Sequence, residues 1–127
     1  MSTRANIVLT EGNQKLIFYR HSDGYPEGTL PTLNIFLKWL KDGKIRTDLH
    51  QSAGWLIVLG AIEYNTIPKF EASEPNKYGY SDVPIETIQE PKDWKVGSIE
   101  PTTCIHSDIQ FLYTIDIVKK EITYCEV

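Results

Sequence analysis

The chain has 127 residues, of which 41% are hydrophobic and 24% are charged, and its formal net charge is −4 at pH 7. This composition is that of one globular domain and argues against a disordered chain. No apolar run reaches the about 20 residues that a membrane-spanning helix needs, and the start does not have the pattern of a secretory signal, so we expect a cytoplasmic protein without a membrane partner. Residues 1–46 carry a net charge of +3 and the remainder −7, a distribution that argues against nucleic-acid binding.

Two short β-prone runs near the start of the chain, residues 3–9 and 15–21, predict a β-hairpin. The turn-forming stretch 11–14 between them contains Gly12 and Asn13. Because side chains alternate between the two faces of a strand, the apolar residues at alternate positions of both runs must point to the same core. This requirement sets the pairing register of the two strands.

The register brings polar side chains together on the face of the hairpin that points away from Phe18. Arg4 is expected opposite His21, and Asn6 opposite Tyr19, because a four-residue loop aligns the strands in this way. These side chains lie toward the end of the sheet where the chain leaves the second strand. The register therefore predicts a polar cluster at this end.

Two segments that follow predict two helices. The first has an apolar stripe with the spacing of one helical face, Pro31 fits its first turn, and Gly43 ends it. The stripe consists of Leu33, Phe36, Leu37 and Leu40. Asp48 can cap the second helix, which is apolar on nearly all sides, so we expect a central buried helix that ends at Tyr64–Asn65. Trp55 in this helix is expected to be a core residue.

Residues 66–107 contain five prolines and show no clear periodicity, so they predict a long irregular loop. Together with Phe70, the tyrosine and tryptophan residues of this loop are expected to pack on the body of the fold. The latter make the loop a candidate cover or partner surface; they are Tyr78, Tyr80 and Trp94. Two β-rich runs at 109–118 and 121–127, joined by Lys119–Lys120, then predict a second hairpin.

In chain order the elements read ββααββ within a single α+β domain over residues 1–127. One four-stranded antiparallel sheet built from the two hairpins, with both helices packed on one face, would bury the apolar side of every element. The exposed edge strand 121–127 offers pairing to a second copy of the chain, and we therefore expect a homodimer.

The stretch HSDGYPEG, residues 21–28, supports two interpretations. It is explained as a strand-to-helix corner, since Asp-Gly is a frequent turn pair and Pro26 restricts the residue before it. The alternative is a site for a small anion such as a nucleotide, in which Arg4 binds a phosphate or carboxylate and Asp23 orients His21. The candidate ligand-binding residues are Arg4, Asn6, Tyr19, His21, Asp23 and Tyr25.

Catalytic and metal-dependent functions have weaker sequence support. His21 with Asp23 could act as metal ligands in a small phosphodiester hydrolase, but the common motifs of hydrolases, phosphate-binding loops and zinc proteases are absent from the sequence. Cys104 and Cys125 are expected to be reduced, partly buried thiols, and neither belongs to a Cys-x-x-Cys unit that would bind zinc. We therefore expect a protein that is not an enzyme and that needs no cofactor.

The first thirty residues resemble a group of small uncharacterised proteins encoded by bacteriophages, prophages and some bacteria. The resemblance rests on a Ser/Thr-Arg start, a short hairpin and a His-x-Asp-Gly-Tyr-Pro signature before a helix, matched here by Ser2 to Arg4 and by residues 21–28. Many members have tryptophan where this chain has Ser22. The resemblance implies a phage-type accessory protein that acts inside a bacterial host, where such proteins often bind defence components or sequester small signals.

These observations lead to a binding protein as the expected function. It would either sequester a small anionic ligand or engage a host protein such as a defence component. Two alternatives are the metal-assisted hydrolase described above and an interaction module that uses the loop at 66–107.

Overall fold

Two helices and five strands make up the fold. The computed structural model describes residues 2–72 and 96–127. In chain order the elements are β1 (Ala5–Glu11), β2 (Gln14–Arg20), α1 (Pro26–Lys41), α2 (Leu49–Ala72), β3 (Ile99–Thr102), β4 (Phe111–Asp116) and β5 (Glu121–Glu126). The strands form one sheet in the order β3-β2-β1-β4-β5. The predicted α+β class with two helices is confirmed.

The sheet differs from the predicted one in strand number and in direction. It has five strands. The additional strand, β3, lies inside the range predicted as a loop and pairs with the side of β2 that faces away from β1. The sequence did not predict this strand because it contains Pro101, and proline breaks a central strand although it is tolerated at a sheet edge. The sheet is mixed, because β1 pairs with β4 in parallel. Hydrophobic alternation is the same in parallel and antiparallel strands, so the sequence pattern could not distinguish the two.

The predicted register of the first hairpin is confirmed. Asn6 lies opposite Tyr19 and Val8 lies opposite Ile17 in the β1–β2 ladder. The other face of the hairpin carries the apolar side chains that pack under the helices, including Phe18. Alternation puts the apolar side chains of both strands on one face, and the short loop between the strands then selects this alignment.

Helix α1 begins earlier than predicted, at Pro26 within the HSDGYPEG stretch. Tyr25 precedes it with extended backbone, and a proline at the first helical position needs no backbone hydrogen bond. Pro31, expected in the first turn, therefore lies inside the helix. Residues 26–28 of the stretch are helix, and residues 21–25 form the turn that leads into it.

Helix α2 begins as predicted and ends later. The Asp48 carboxylate accepts a hydrogen bond of 2.9 Å from the Gln51 amide, and the Glu11 carboxylate accepts one of 3.1 Å from the Leu49 amide. The helix continues to Ala72, past the predicted end at Tyr64–Asn65. A lone asparagine ends a helix only when its backbone adopts the left-handed conformation, which makes it a weak stop signal.

The predicted loop at 66–107 is therefore helix at its start and contains β3 near its end. Residues 73–95, with the aromatic residues that suggested a partner surface, lie outside the described residues. Neither α1 nor α2, as far as they are described, combines the length and the apolar character that a membrane crossing requires.

Both helices contribute to a core on one face of the sheet. The buried apolar residues of this core are Ala5, Ile7, Leu9, Phe18, Leu33, Phe36, Leu40, Ile45, Leu49, Ala53, Leu56, Leu59, Ile99, Tyr113, Ile115 and Ile117. Helix α2 is not buried on all sides as predicted, because Trp55, Ile57 and Val58 are exposed. A helix in the outer layer of a two-layer fold has one covered side, whatever the hydrophobicity of its other side.

A buried ion pair lies within this core. Arg20 follows Phe18 on the helix side of β2, and its side chain is fully buried. Its guanidinium donates two hydrogen bonds to the Glu63 carboxylate, at 2.9 and 2.6 Å, and one of 3.1 Å to the Ser98 hydroxyl. Thr32 of α1 donates a further hydrogen bond of 3.0 Å to Glu63. The pair therefore joins the sheet, both helices and the segment that leads into β3.

We expect Glu63→Ala to lower the free energy of unfolding by about 3–5 kcal/mol in urea denaturation, because it leaves the buried Arg20 charge without its counterion. Arg20→Met serves as the second single variant. The double variant should lose less stability than the two single losses together, since neither partner then remains unpaired. Additive losses would contradict this account of the pair.

Candidate functional site

Tyr19 is the centre of a cluster on the sheet face opposite the helices. Its ring is almost fully buried, with 4% of the residue exposed. The His106 ring stacks on it at a centroid distance of 3.9 Å, and the His21 ring meets its edge at 4.6 Å. The two imidazoles thus hold the phenol in one orientation, with its hydroxyl directed at Asp108.

Asp108 receives two hydrogen bonds on one carboxylate oxygen, Oδ2. The Tyr19 hydroxyl and Arg4 Nη1 each donate to it, both at 2.9 Å. The hydrogen bond from Tyr19 and the nearby Arg4 guanidinium hold the pKa of Asp108 below its usual range. This contact favours the folded state at neutral pH, and the benefit is lost as the pH falls through the lowered pKa.

The His21 ring nitrogen Nε2 contacts the carboxylate of Glu100, which lies on β3 directly opposite Tyr19. The His21 side chain is exposed, and the Glu100 side chain is partly exposed. Glu100 therefore takes the position beside the imidazole that the sequence suggested for Asp23. Arg4 and His21 do lie on the same face of the sheet, as the register predicted. Tyr19 connects them, because its hydroxyl shares Asp108 with Arg4 and its ring contacts the His21 ring.

Asn6 supports the cluster from below and is itself fully buried. Its side-chain amide donates to the Phe18 carbonyl at 2.8 Å, and its oxygen accepts from the His106 amide at 2.8 Å. The His106 ring shares a further hydrogen bond of 2.9 Å with the Thr102 hydroxyl. Asn6 therefore holds the segment around His106 onto the sheet, and its predicted contact with a ligand stays a prediction.

Asp23 and Tyr25, the two other candidate residues, belong to the corner. Asp23 has left-handed backbone with a φ of 56°, and its carbonyl accepts a hydrogen bond of 2.8 Å from Thr29. Its side chain meets the Tyr25 hydroxyl at 3.4 Å rather than His21. These contacts belong to the corner, and the predicted contact of Asp23 and Tyr25 with a ligand stays a prediction.

Two glycines of the corner are required by close backbone contacts. A Cβ atom on Gly28 would lie 2.6 Å from the Asp23 carbonyl oxygen, and one on Gly24 would lie 2.9 Å from the Thr3 carbonyl oxygen. The Gly24 carbonyl accepts a hydrogen bond of 2.6 Å from the Tyr113 hydroxyl. The corner is therefore packed tightly between the chain start and β4.

We name the exposed surface around Tyr19 the Tyr19 face. It consists of Arg4, Tyr19, His21, Glu100, His106 and Asp108. Sequence reasoning identified the first three of these residues and missed the last three. Glu100 and His106 lie in the range predicted as an irregular loop, and Asp108 lies between that range and the second predicted hairpin.

The described residues contain no group of three or more histidine, cysteine, aspartate or glutamate side chains placed to hold a metal ion. His21 and Asp23 do not contact each other, and each has another partner. Cys104 and Cys125 are free and exposed, whereas we expected partly buried thiols. The arrangement of the Tyr19 face is one of paired charges around aromatic rings.

No family model, no curated protein and no solved structure matches this chain. The resemblance to phage-encoded proteins therefore stays a prediction. The functional interpretation rests on the geometry of the Tyr19 face.

The pKa of Tyr19 is raised above its ordinary value by burial and by the hydrogen bond to Asp108. Neutral Tyr19 thus stabilises the folded state below the ordinary tyrosine pKa, and this contribution is lost as the pH rises through the raised pKa. We expect Asp108→Asn to lower the pKa of Tyr19, because it removes the negative charge that opposes ionisation. The ultraviolet absorbance of tyrosinate measures the change.

Tyr19→Phe identifies which part of the absorbance change belongs to Tyr19 among the seven tyrosines. The Tyr19→Phe curve is subtracted from the curves of the wild type and of Asp108→Asn. If the two remaining curves are the same, the effect of Asp108 on the pKa of Tyr19 is contradicted.

Proposed function

We propose that the protein acts by binding, as a phage-type accessory protein that engages a host protein in the bacterial cytoplasm through the Tyr19 face. The observation that carries this proposal is the set of four charged or titratable side chains around Tyr19, Arg4 with Asp108 and His21 with Glu100. Each of these side chains is between 40% and 61% exposed. They are therefore open to solvent and are also held in place.

Preorganisation is the physical reason why such a surface suits binding. A long side chain that must be ordered on association lowers the affinity, by about 0.5–1.5 kcal/mol for each side chain. Arg4 is already ordered by Asp108, and His21 by Tyr19 and Glu100. A partner would therefore meet side chains that have lost most of their freedom before contact.

The charge pattern favours a protein partner over a simple anion. Positive Arg4 lies beside negative Asp108, and Glu100 adds a second negative charge beside His21. Alternating charges offer complementary contacts to a protein surface that also carries both signs. Arginine is, in addition, a residue that interface centres prefer.

Sequestration of a small anion, such as a nucleotide, is a second candidate with one specific observation in its favour. Arg4 and Tyr19 direct two donors at a single point, which is the geometry that a phosphate or carboxylate oxygen requires. In this structure the Asp108 carboxylate lies at that point. A free anion would have to displace Asp108, and this competition lowers the affinity of the anion for the wild-type protein.

The metal-assisted hydrolase has no comparable support, since His21 pairs with Glu100 and not with Asp23. The interaction module built on the loop at 66–107 depends on Tyr78, Tyr80 and Trp94, which lie outside the described residues.

Affinity capture from bacterial lysate tests the lead proposal. The tagged wild type is compared with Arg4→Ala/His21→Ala and with the matched control Lys41→Ala/His50→Ala, which removes the same residue classes from exposed positions on the helices. We expect at least one bacterial protein to be retained by wild type and control and to be lost from the Tyr19-face variant. Equal retention by all three proteins would contradict the proposal.

Calorimetric titration with a nucleoside monophosphate tests the second candidate. Asp108→Ala should bind the nucleotide about tenfold or more tightly than the wild type, because the Arg4 and Tyr19 donors become free for the phosphate. Arg4→Ala in the same background should remove the gain. No difference between wild type and Asp108→Ala would retire anion binding at this point.

A further inference from the structure

Strand β5 is an open edge of the sheet. The Val127 amide donates a hydrogen bond of 2.8 Å to the Gln110 carbonyl on the β4 side. In an antiparallel ladder, the backbone N–H and C=O groups of every second residue point to the same neighbouring strand. Since those of Val127 point to β4, the backbone groups of Ile122, Tyr124 and Glu126 point away from β4. Among the described residues no strand pairs with this outer side.

The two edges of the sheet differ in how they resist pairing. The opposite edge, β3, has four residues and contains Pro101, which has no amide hydrogen to donate. Strand β5 has six residues and no proline, and five of the six are exposed. Proteins blunt edge strands with prolines, short lengths and charges; β5 has only the charges of Glu121 and Glu126, so it is the edge better suited to pairing with another strand.

We infer that β5 pairs with β5 of a second copy of this chain, across a two-fold axis that passes through Thr123. Because this axis is perpendicular to the strands, the two copies of β5 run antiparallel. With the axis at Thr123, Ile122 lies opposite Tyr124 of the second copy, and Glu126 lies beside the Lys119–Lys120 turn of the second copy. The contact is therefore self-complementary in both apolar character and charge.

The neighbouring alignment is less favourable. An axis at Tyr124 would place Glu126 opposite Ile122 of the second copy, which sets a carboxylate against an apolar side chain. The charge of Glu126 would also lie away from the Lys119–Lys120 turn. The two alignments thus differ in how well they pair the charges, and the axis at Thr123 pairs them better.

A groove beside β5 gains a cover from this pairing. Helix α1 and Tyr124 line a groove of about 400 Å³ whose apolar walls include Pro26, Leu30 and Pro31. The Tyr124 ring packs at 5.5 Å from the Tyr113 ring on the helix side of the sheet and is half-exposed. Ile122 of the second copy comes to the open side of this groove, so pairing removes apolar surface from water on both copies.

Sedimentation equilibrium of the wild type and two charge variants tests the proposal. Thr123→Lys and Thr123→Glu each place like charges opposite each other at the axis, and each should weaken self-association about fivefold or more. An equimolar mixture of the two variants should restore the dimer, because the opposed charges are then of opposite sign. A monomeric wild type, or a mixture that associates no better than either variant alone, would overturn the proposal.

Disulfide trapping tests the alignment. In a Cys104→Ser/Cys125→Ser background, Thr123→Cys should form a disulfide-linked dimer under mild oxidation, since the two Cβ atoms face each other across the axis. Tyr124→Cys in the same background should not, because its neighbour is Ile122. The reverse result would overturn the axis at Thr123. Far-UV circular dichroism confirms that each variant folds before its result is interpreted.

Discussion

The arrangement of this fold depends on the buried guanidinium of Arg20. It binds Glu63 of α2 with two hydrogen bonds and donates further ones to the Asp23 and Gly28 carbonyls at 3.2 and 3.1 Å. Burying a charge is costly unless every donor finds a partner, and here the partners come from the corner, from α2 and from Ser98 before β3. One side chain on the helix side of β2 thus determines where the corner lies, and the corner places His21 on the other side.

The two faces of β2 therefore act together. Arg20 holds the chain on the core side, and its neighbours Tyr19 and His21 point to the opposite side because side chains alternate along an extended chain. Interactions on the core side, such as the Arg20–Glu63 pair, serve stability. The interactions of Tyr19 with His21, His106 and Asp108 leave charged groups in solvent, where they are accessible to a partner.

Local patterns were sufficient to predict the first hairpin and the start of α2. Alternation aligned Asn6 with Tyr19, and the side-chain cap predicted at Asp48 is present. Strand β3 could not be predicted, because Pro101 is a strand breaker except at an edge and nothing local marks an edge. The parallel pairing of β1 with β4 was also missed, since strand direction depends on how the chain crosses the molecule.

The candidate site shows the same limit. The sequence placed Arg4, Tyr19 and His21 on one face, because that inference needs only two adjacent strands. The partners Glu100 and Asp108 are 79 residues or more away in the chain from the residues they bind, and no local pattern connects them. Asp23 was assigned to His21 from their spacing, but its left-handed backbone turns the side chain toward Tyr25.

The tight packing at Gly24 and Gly28 changes what the HSDGYPEG stretch means for tracing relatives of this protein. Only a residue without a side chain fits at either position, because the Thr3 and Asp23 carbonyl oxygens fill the space. A distant protein that shares the two glycines and Pro26 would share the backbone conformation of this corner. It would share the exposed surface of this protein only if it also kept the imidazole at the head of the motif and the acidic residue beside it on the neighbouring edge strand.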